Sequence, residues 1–230
     1  MTVSLVFIML GFFIIESIYL VALSAAMLMM GLTLLAVSVE YEPNVEPYRV
    51  LSRQLLMNLK LLVEGLDLDN VKPIYLPSSI SGNPPLALLP VTSDADKLNL
   101  RRKLPKNLIV RYGVGSNDIG LMIATAGSSV IEGEVIERVS DAPGIEGVLS
   151  RIMVNRLKIA SSVKVVEADG GFRVHISSPI LRKVFVKPFG TVYAQIVGHV
   201  CAEALDKPTI VDESVDRKSI DVTVRVLRFE

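Results

Sequence analysis

The first 48 residues contain no lysine and no arginine, and their only charges are the carboxylates of Glu16, Glu40, Glu42 and Glu46. A secretory leader begins with a basic segment, carries a shorter apolar run and ends on a small-residue cleavage site, so this head does not read as one. Cysteine is nearly absent too. Cys201 stands alone, which excludes an intramolecular disulfide and a cysteine-based metal site. No Asn-x-Ser/Thr sequon occurs, which argues against surface display. There is no GK[ST] phosphate loop, no properly spaced GxGxxG and no HExxH. With 50% hydrophobic residues, a mean hydropathy of +0.48 and a formal net charge of +0, the chain is neither disordered nor collagenous nor a strongly basic nucleic-acid binder.

That neutrality averages two unlike pieces. All 24 basic residues lie in 49–230 against 20 of the 24 acidic ones, so this part carries +4. Residues 2–39, TVSLVFIMLGFFIIESIYLVALSAAMLMMGLTLLAVSV, hold one charge, Glu16. As one helix they would be about 57 Å long, nearly twice the hydrocarbon core, which about 20 apolar residues already span. Two spans, 3–17 and 20–39, fit better. They would turn at Glu16–Ser17–Ile18–Tyr19, where a carboxylate and a tyrosine suit the polar interface. Gly11, Gly31, Ser24, Ala25 and Ala26 let two such helices approach closely. A single long helix is the alternative. Arg49, Arg53 and Lys60 follow the second span, which sets both termini and the body in the cytoplasm.

The expected organisation is a transmembrane hairpin at 1–40, a linker at 41–47 with Pro43 and Pro47, a juxtamembrane helix plus first lobe at 48–138, and a second lobe at 139–230. In 48–66 the helical period places Tyr48, Leu55, Leu59, Leu62 and Leu66 on one face and Val50, Met57 and Leu61 in a second apolar stripe. Arg49, Arg53, Lys60 and Glu64 fill a narrow polar face. Extended stretches follow at 71–76, 86–91, 108–112 and 119–125, with a turn-rich loop at 77–85 and a helix near 128–138. Beyond a start at Ser140 or Asp141 with Pro143, an amphipathic helix is predicted over 145–160. A hairpin at 163–178 turns on Ala168–Gly171, a helix covers 190–205, and strands 209–212 and 219–229 close the chain. The order α-β-β-α-β-β from residue 143 predicts an α+β class: an antiparallel sheet with helices packed on one face.

Candidate sites are few. Arg49, Arg53 and Lys60, together with Arg101, Arg102 and Lys103 in the basic segment 97–106, are expected to meet anionic headgroups. Arg182, Lys183 and Lys187 could do the same. No aromatics interleave with these cations, so nucleic acid is not an expected partner. The glycines of RYGVGSNDIG read as a hairpin turn. Gln195, His199 and Glu203 share a face opposite Tyr193, Ile196, Val197, Val200 and Ala204, which predicts that they point to solvent, with no third metal ligand near. His175 alternates with Arg173 on the wet face of its strand. Arg156 falls among Ile145, Leu149 and Ile152 by helical period, which makes it the candidate buried or pocket charge. No catalytic residue, metal or cofactor is expected.

The stretches LLAVSVEYEPNVEPYRV, LDLDNVKPIYLP, LALLPV, IGLMIATAG and KPFGTVYAQIVGHVCAEALDKPTIVDESVDRKSIDVTVRVL resemble an archaeal family of membrane-anchored proteins with two N-terminal transmembrane helices and a soluble α+β domain. The resemblance covers most of the chain in its pattern and carries no catalytic residues. The C-terminal part also looks loosely like vinyl-reductase-type and vesicle-tethering-subunit domains, from whose cysteine-containing site the lone Cys201 departs. Three expectations follow: a membrane-anchored scaffold or accessory protein working with a partner or a second copy, a membrane-tethered small-ligand or lipid-sensing domain with an apolar pocket near Arg156, or an enzyme.

Overall fold

A computed structural model describes residues 45–91, 103–105, 107–113, 118–180 and 187–227, with side chains from Gln54 onward. The chain forms two compact units, Met1–Leu55 and Leu56–Glu230. The described elements are α1 (Val45–Gly65), β1 (Ile74–Tyr75), α2 (Ser78–Ser81), β2 (Ala87–Pro90), β3 (Ile109–Arg111), β4 (Ile119–Ile123), α3 (Ala126–Ile131), α4 (Ala142–Ser150), a π turn (Arg151–Arg156), β5 (Ser162–Ala168), β6 (Gly171–Ser177), a 3-10 turn (Lys187–Phe189), α5 (Val192–Leu205), β7 (Thr209–Val215) and β8 (Ser219–Val226). Among the described residues no helix is long and apolar enough to cross a membrane; the apolar run 2–39 lies outside them.

The strands make one eight-stranded sheet in the order β3-β4-β2-β1-β7-β8-β6-β5, every neighbouring pair antiparallel. Pairing of β1 with β7, Ile74 opposite Ile210, joins the strands before residue 139 to those after it. The α+β class is therefore as the sequence predicts. The two halves of the sheet differ in patterning, and burial explains it. In β5, β6 and β8 apolar residues alternate, and Val163, Val165, Phe172, Val174, Ile176, Ile220, Val222 and Val224 face the helices. The other side of these strands is wet, and there His175 sits opposite Asp221 in register with its Nδ1 2.8 Å from Asp221 Oδ1. In β1, β2 and β4 the runs are almost continuously apolar, because both faces are covered. Tyr75, Ala87, Leu89, Leu121 and Ile123 point into the main core, while Ile74, Leu88 and Met122 join Leu76, Leu104, Val110, Tyr112 and Ile210 in a second cluster across the sheet.

Helix ends follow local chemistry. After α1 the chain closes in a Schellman arrangement: Leu68 N–H donates to the Val63 carbonyl at 2.9 Å and Asp67 N–H to that of Glu64 at 3.1 Å, with Asp67 left-handed at φ 54°. Val63 and Leu68, each 1% exposed, form the hydrophobic contact that completes it. This fixes the roll of α1 in its second half. Leu56, Leu59, Leu62 and Val63 pack on the core, while Leu55, Met57, Leu61 and Leu66 are exposed. The packed face thus differs from the predicted one: Leu59 and Leu62 belong to it, but Leu55 and Leu66 do not. Two further helices also differ. The predicted helix 128–138 runs over 126–131, starting at a Thr125 cap and ending before Gly133 at φ +80°. The predicted helix 145–160 is α4 followed by the π turn.

Outward-facing backbone is managed at one edge of the sheet. The Val165 N–H on edge strand β5 donates to Glu146 Oε2 of α4 at 2.8 Å. A side chain thereby occupies a donor that would otherwise template another strand.

Candidate functional site

Helix α5 carries most of the polar side chains worth weighing. It is almost wholly enclosed: every residue from Tyr193 to Ala202 is buried. Its start is doubly held. Thr191 Oγ1 accepts from Ala194 N–H at 3.3 Å, and the Glu213 carboxylate accepts from Thr191 N–H at 3.0 Å and from its hydroxyl at 2.7 Å. A carboxylate there also complements the positive end of the helix dipole. Its end repeats the Schellman pattern, with Asp206 left-handed at φ 51° and Lys207 N–H donating to the Ala202 carbonyl at 3.1 Å.

Gln195, His199 and Glu203 do not point to solvent, contrary to the helical-wheel expectation. Helix α3 lies across that face of α5. Gln195, 5% exposed, accepts from Ala126 N–H at 3.0 Å, and His199, 0% exposed, places Nε2 3.0 Å from both Thr125 Oγ1 and Ser128 Oγ. Thr125 and Ser128 meanwhile form a capping box, each hydroxyl accepting from the other residue's N–H. One turn on, Glu203 accepts from Ser78 N–H at 2.5 Å and Ser78 Oγ at 3.0 Å, which caps α2 where Pro77 offers no side-chain oxygen. The i,i+4 row on α5 is therefore a set of caps for segments far away in sequence.

The electrostatics agree with enclosure. Burial pulls the His199 imidazole down to about 3, so it is neutral at ordinary pH. Its Nδ1 has no hydrogen-bond partner, and Tyr75 packs edge-on against its ring with centroids 4.8 Å apart. Burial likewise pushes the Tyr75 phenol up, helped by nearby Glu213, and the Cys201 thiol up to about 12. Glu203, half-buried, is raised mainly by burial, against the Ser78 hydrogen bonds. Ser128 and His199 have the 3.0 Å spacing of a nucleophile and its base, yet both are 0% exposed. What this arrangement can do chemically is hold α3 against α5. Sequence reasoning passed over Thr125 and Ser128, although T-x-x-S ahead of an apolar helix is a near relative of the capping-box signature.

Arg156 is not a buried charge. Its side chain is 46% exposed, and it donates to the Val130 carbonyl at 3.0 Å and to Glu134 Oε1 at 2.5 Å. Arg151 reaches the Val135 carbonyl at 3.3 Å. The π turn is the cause: with i→i+5 bonds, such as Leu157 N–H to the Ile152 carbonyl at 2.9 Å, it takes more residues per turn, so the wheel direction shared with Ile145 and Leu149 is lost. Arg156 thus holds the end of α3, and Arg151 the segment that follows it. Replacing Arg156 with glutamine is expected to lower stability by about 1 kcal/mol, the scale of an exposed, screened pair with one extra hydrogen bond. A buried charge would cost about 3–5 kcal/mol. Denaturant midpoints of the full chain, followed by circular dichroism, separate the two.

The clefts lie elsewhere. One of about 550 Å³ is bounded by Asn70, Lys72, Pro90, Asp169, Arg225 and Leu227; its Lys72 and Arg225 both pair with Asp212, which does not line it. A second, about 410 Å³, lies between Ser78, Pro85, Glu134, Val135 and Glu203. Arg156 lines neither, and the two histidines stay on opposite sides of the sheet, His175 on the wet face and His199 under α3. Among the described residues no group of three or more His, Cys, Asp or Glu could hold a metal ion.

Of the cations expected at headgroups, Lys60 is exposed and pairs with Glu64 at 3.3 Å, and Lys103 is exposed. Arg49 and Arg53 lie on α1, with side chains outside the described residues, as are Arg101, Arg102, Arg182 and Lys183 entirely. Lys187 is exposed beside the start of α5. The predicted Gly-rich turn does join two paired strands, β3 and β4; its residues 114–117 are outside the described set. No protein-family model, curated protein or solved structure matches the chain.

Proposed function

We propose that this chain is a membrane-anchored, non-enzymatic scaffold or accessory protein, with a transmembrane hairpin in 1–40 and the α+β body on the cytoplasmic side. The observation that carries the reading is the apolar run 2–39, whose one charge, Glu16, falls where a turn between two spans belongs. The basic residues that set its orientation, Arg49, Arg53 and Lys60, all follow the second span. The same order of anchor, linker, helix and α+β body is what the archaeal membrane-anchored family displays. The enclosure of His199, Ser128 and Gln195 also supports it: the side chains best suited to chemistry are spent on joining helices. The lipid bilayer is the first partner of this reading, and a protein partner or second copy of the chain is the second.

After expression of the full chain, the protein is expected to remain with membranes through an alkaline carbonate wash and to need detergent for release. In detergent, light scattering is expected to give a protein mass above the 25.1 kDa of one chain, or a stoichiometric partner. Release by carbonate alone overturns the anchor. A monodisperse monomer with no partner on crosslinking overturns the scaffold.

A further inference from the structure

We propose that the outer face of α1, centred on Met57 and Leu61, lies in the headgroup region of the bilayer, so that α1 is an interfacial helix. This rests on the anchored reading above. Met57 is 62% and Leu61 57% exposed, one helical turn apart on the side away from Leu56, Leu59 and Val63. Two large apolar side chains stacked outward on a helix of fixed roll call for a cover. The roll is fixed because Val63 and Leu68 lock the helix end into the core.

The chain itself says what the cover is. The apolar run ends at Val39 and α1 begins at Val45, six Cα steps later, a reach of at most about 22 Å. Met57 is then only about 18 Å further along the helix. Next to the apolar stripe runs a charged edge with more bases than acids: Lys60, ion-paired with Glu64 at 3.3 Å, stands beside Leu61, and Arg49 and Arg53 precede it on α1. An apolar stripe with a basic border suits an anionic lipid surface, with the stripe among the first acyl carbons and the cations at the phosphates. A protein groove would account for the stripe but would need acidic groups opposite the basic edge.

The test uses the full chain with Cys201 replaced by alanine, carrying a polarity-sensitive fluorophore on Met57→Cys, Leu61→Cys or, as control, Lys164→Cys on the wet face of β5. Each is reconstituted into phosphatidylcholine vesicles with a minority of phosphatidylserine and brominated acyl chains. Probes at 57 and 61 are expected to be quenched by the bromines about threefold more than the probe at 164, with blue-shifted emission. Quenching at 57 and 61 equal to that at 164 overturns the interfacial placement while leaving the anchor standing. A blue shift without bromine quenching that persists in detergent also overturns it, in favour of a protein cover. Failure of the protein to float with the vesicles overturns the anchor and this placement together.

Discussion

Gly127→Ala is expected to destabilise the body by about 3 kcal/mol, at the upper end of what an overpacked interior costs. A Cβ at Gly127 would collide with the Gln195 carbonyl oxygen, would sit 2.6 Å from that carbonyl carbon and 2.9 Å from His199 Cδ2. Two of these atoms are backbone of α5, which cannot rotate away, and α5 is itself pinned by Thr191 and Glu213 at one end and packed on Tyr75 through Gly198, where a Cβ would lie 2.7 Å from Tyr75 Cε2. Separating the helices would also lengthen the bonds from His199 and Gln195 to the α3 cap. Helix propensity works the other way, since alanine in place of glycine favours a helix by about 1 kcal/mol. Gly147→Ala in α4 is the matched control. A Cβ there meets nothing within 4 Å, so this variant is expected to gain about 0.5–1 kcal/mol. Urea midpoints of the two variants should move in opposite directions. A Gly127→Ala midpoint equal to the parent's would mean that α3 does not pack on α5 as described.

Acidification should unfold the body through His199. The imidazole has a value of 6.5 in an open chain and about 3 in the folded state, because burial disfavours its charged form. Between these values the unfolded chain binds a proton that the folded chain refuses, so the stability is fully present above 6.5 and is lost as pH falls toward 3. The slope is about 1.36 kcal/mol per pH unit, which removes about 2 kcal/mol on going from pH 7.5 to pH 5. Glu203 has the opposite sign, since burial raises its carboxyl and protonation favours the folded state. Comparison with His199→Gln isolates the imidazole. The variant starts less stable, having lost the fit to Thr125 and Ser128, but it should show about 2 kcal/mol less acid loss over the same interval. Equal pH slopes in parent and variant would show that His199 is not the buried neutral group.

Both predictions rest on the α3–α5 crossing, the part of the molecule that a linear reading sees least. Alternation in VKVVEADGGFRVHIS marks the β5–β6 hairpin and its wet face, and His175 and Arg173 stand where that pattern puts them. The length of α5 and the burial of Cys201 were equally legible, since period 3.6 and small apolar residues are local properties. The wheel of α5, however, sorts residues only by polarity. Gln195, His199 and Glu203 form a polar face, and a polar face reads as solvated unless something polar is brought to it. Here that something is the cap of α3, whose Thr125 lies 74 positions before His199.

Arg156 fails for a different reason. An α-helical period does not hold through its segment, whose hydrogen bonds switch to i→i+5, and each residue past the switch is turned away from the face that period gives. The sequence by itself determined an apolar head without basic residues, a mildly basic body, the α+β class and the hairpins, because composition and short-range periodicity carry those. Only the tertiary structure decided that the polar stripe of α5 is interior, that Arg156 holds the end of α3 and Arg151 the segment after it, and that α1 turns Met57 and Leu61 outward. Each of these depends on which distant segment lies opposite a side chain, and a period read along one helix holds no record of that.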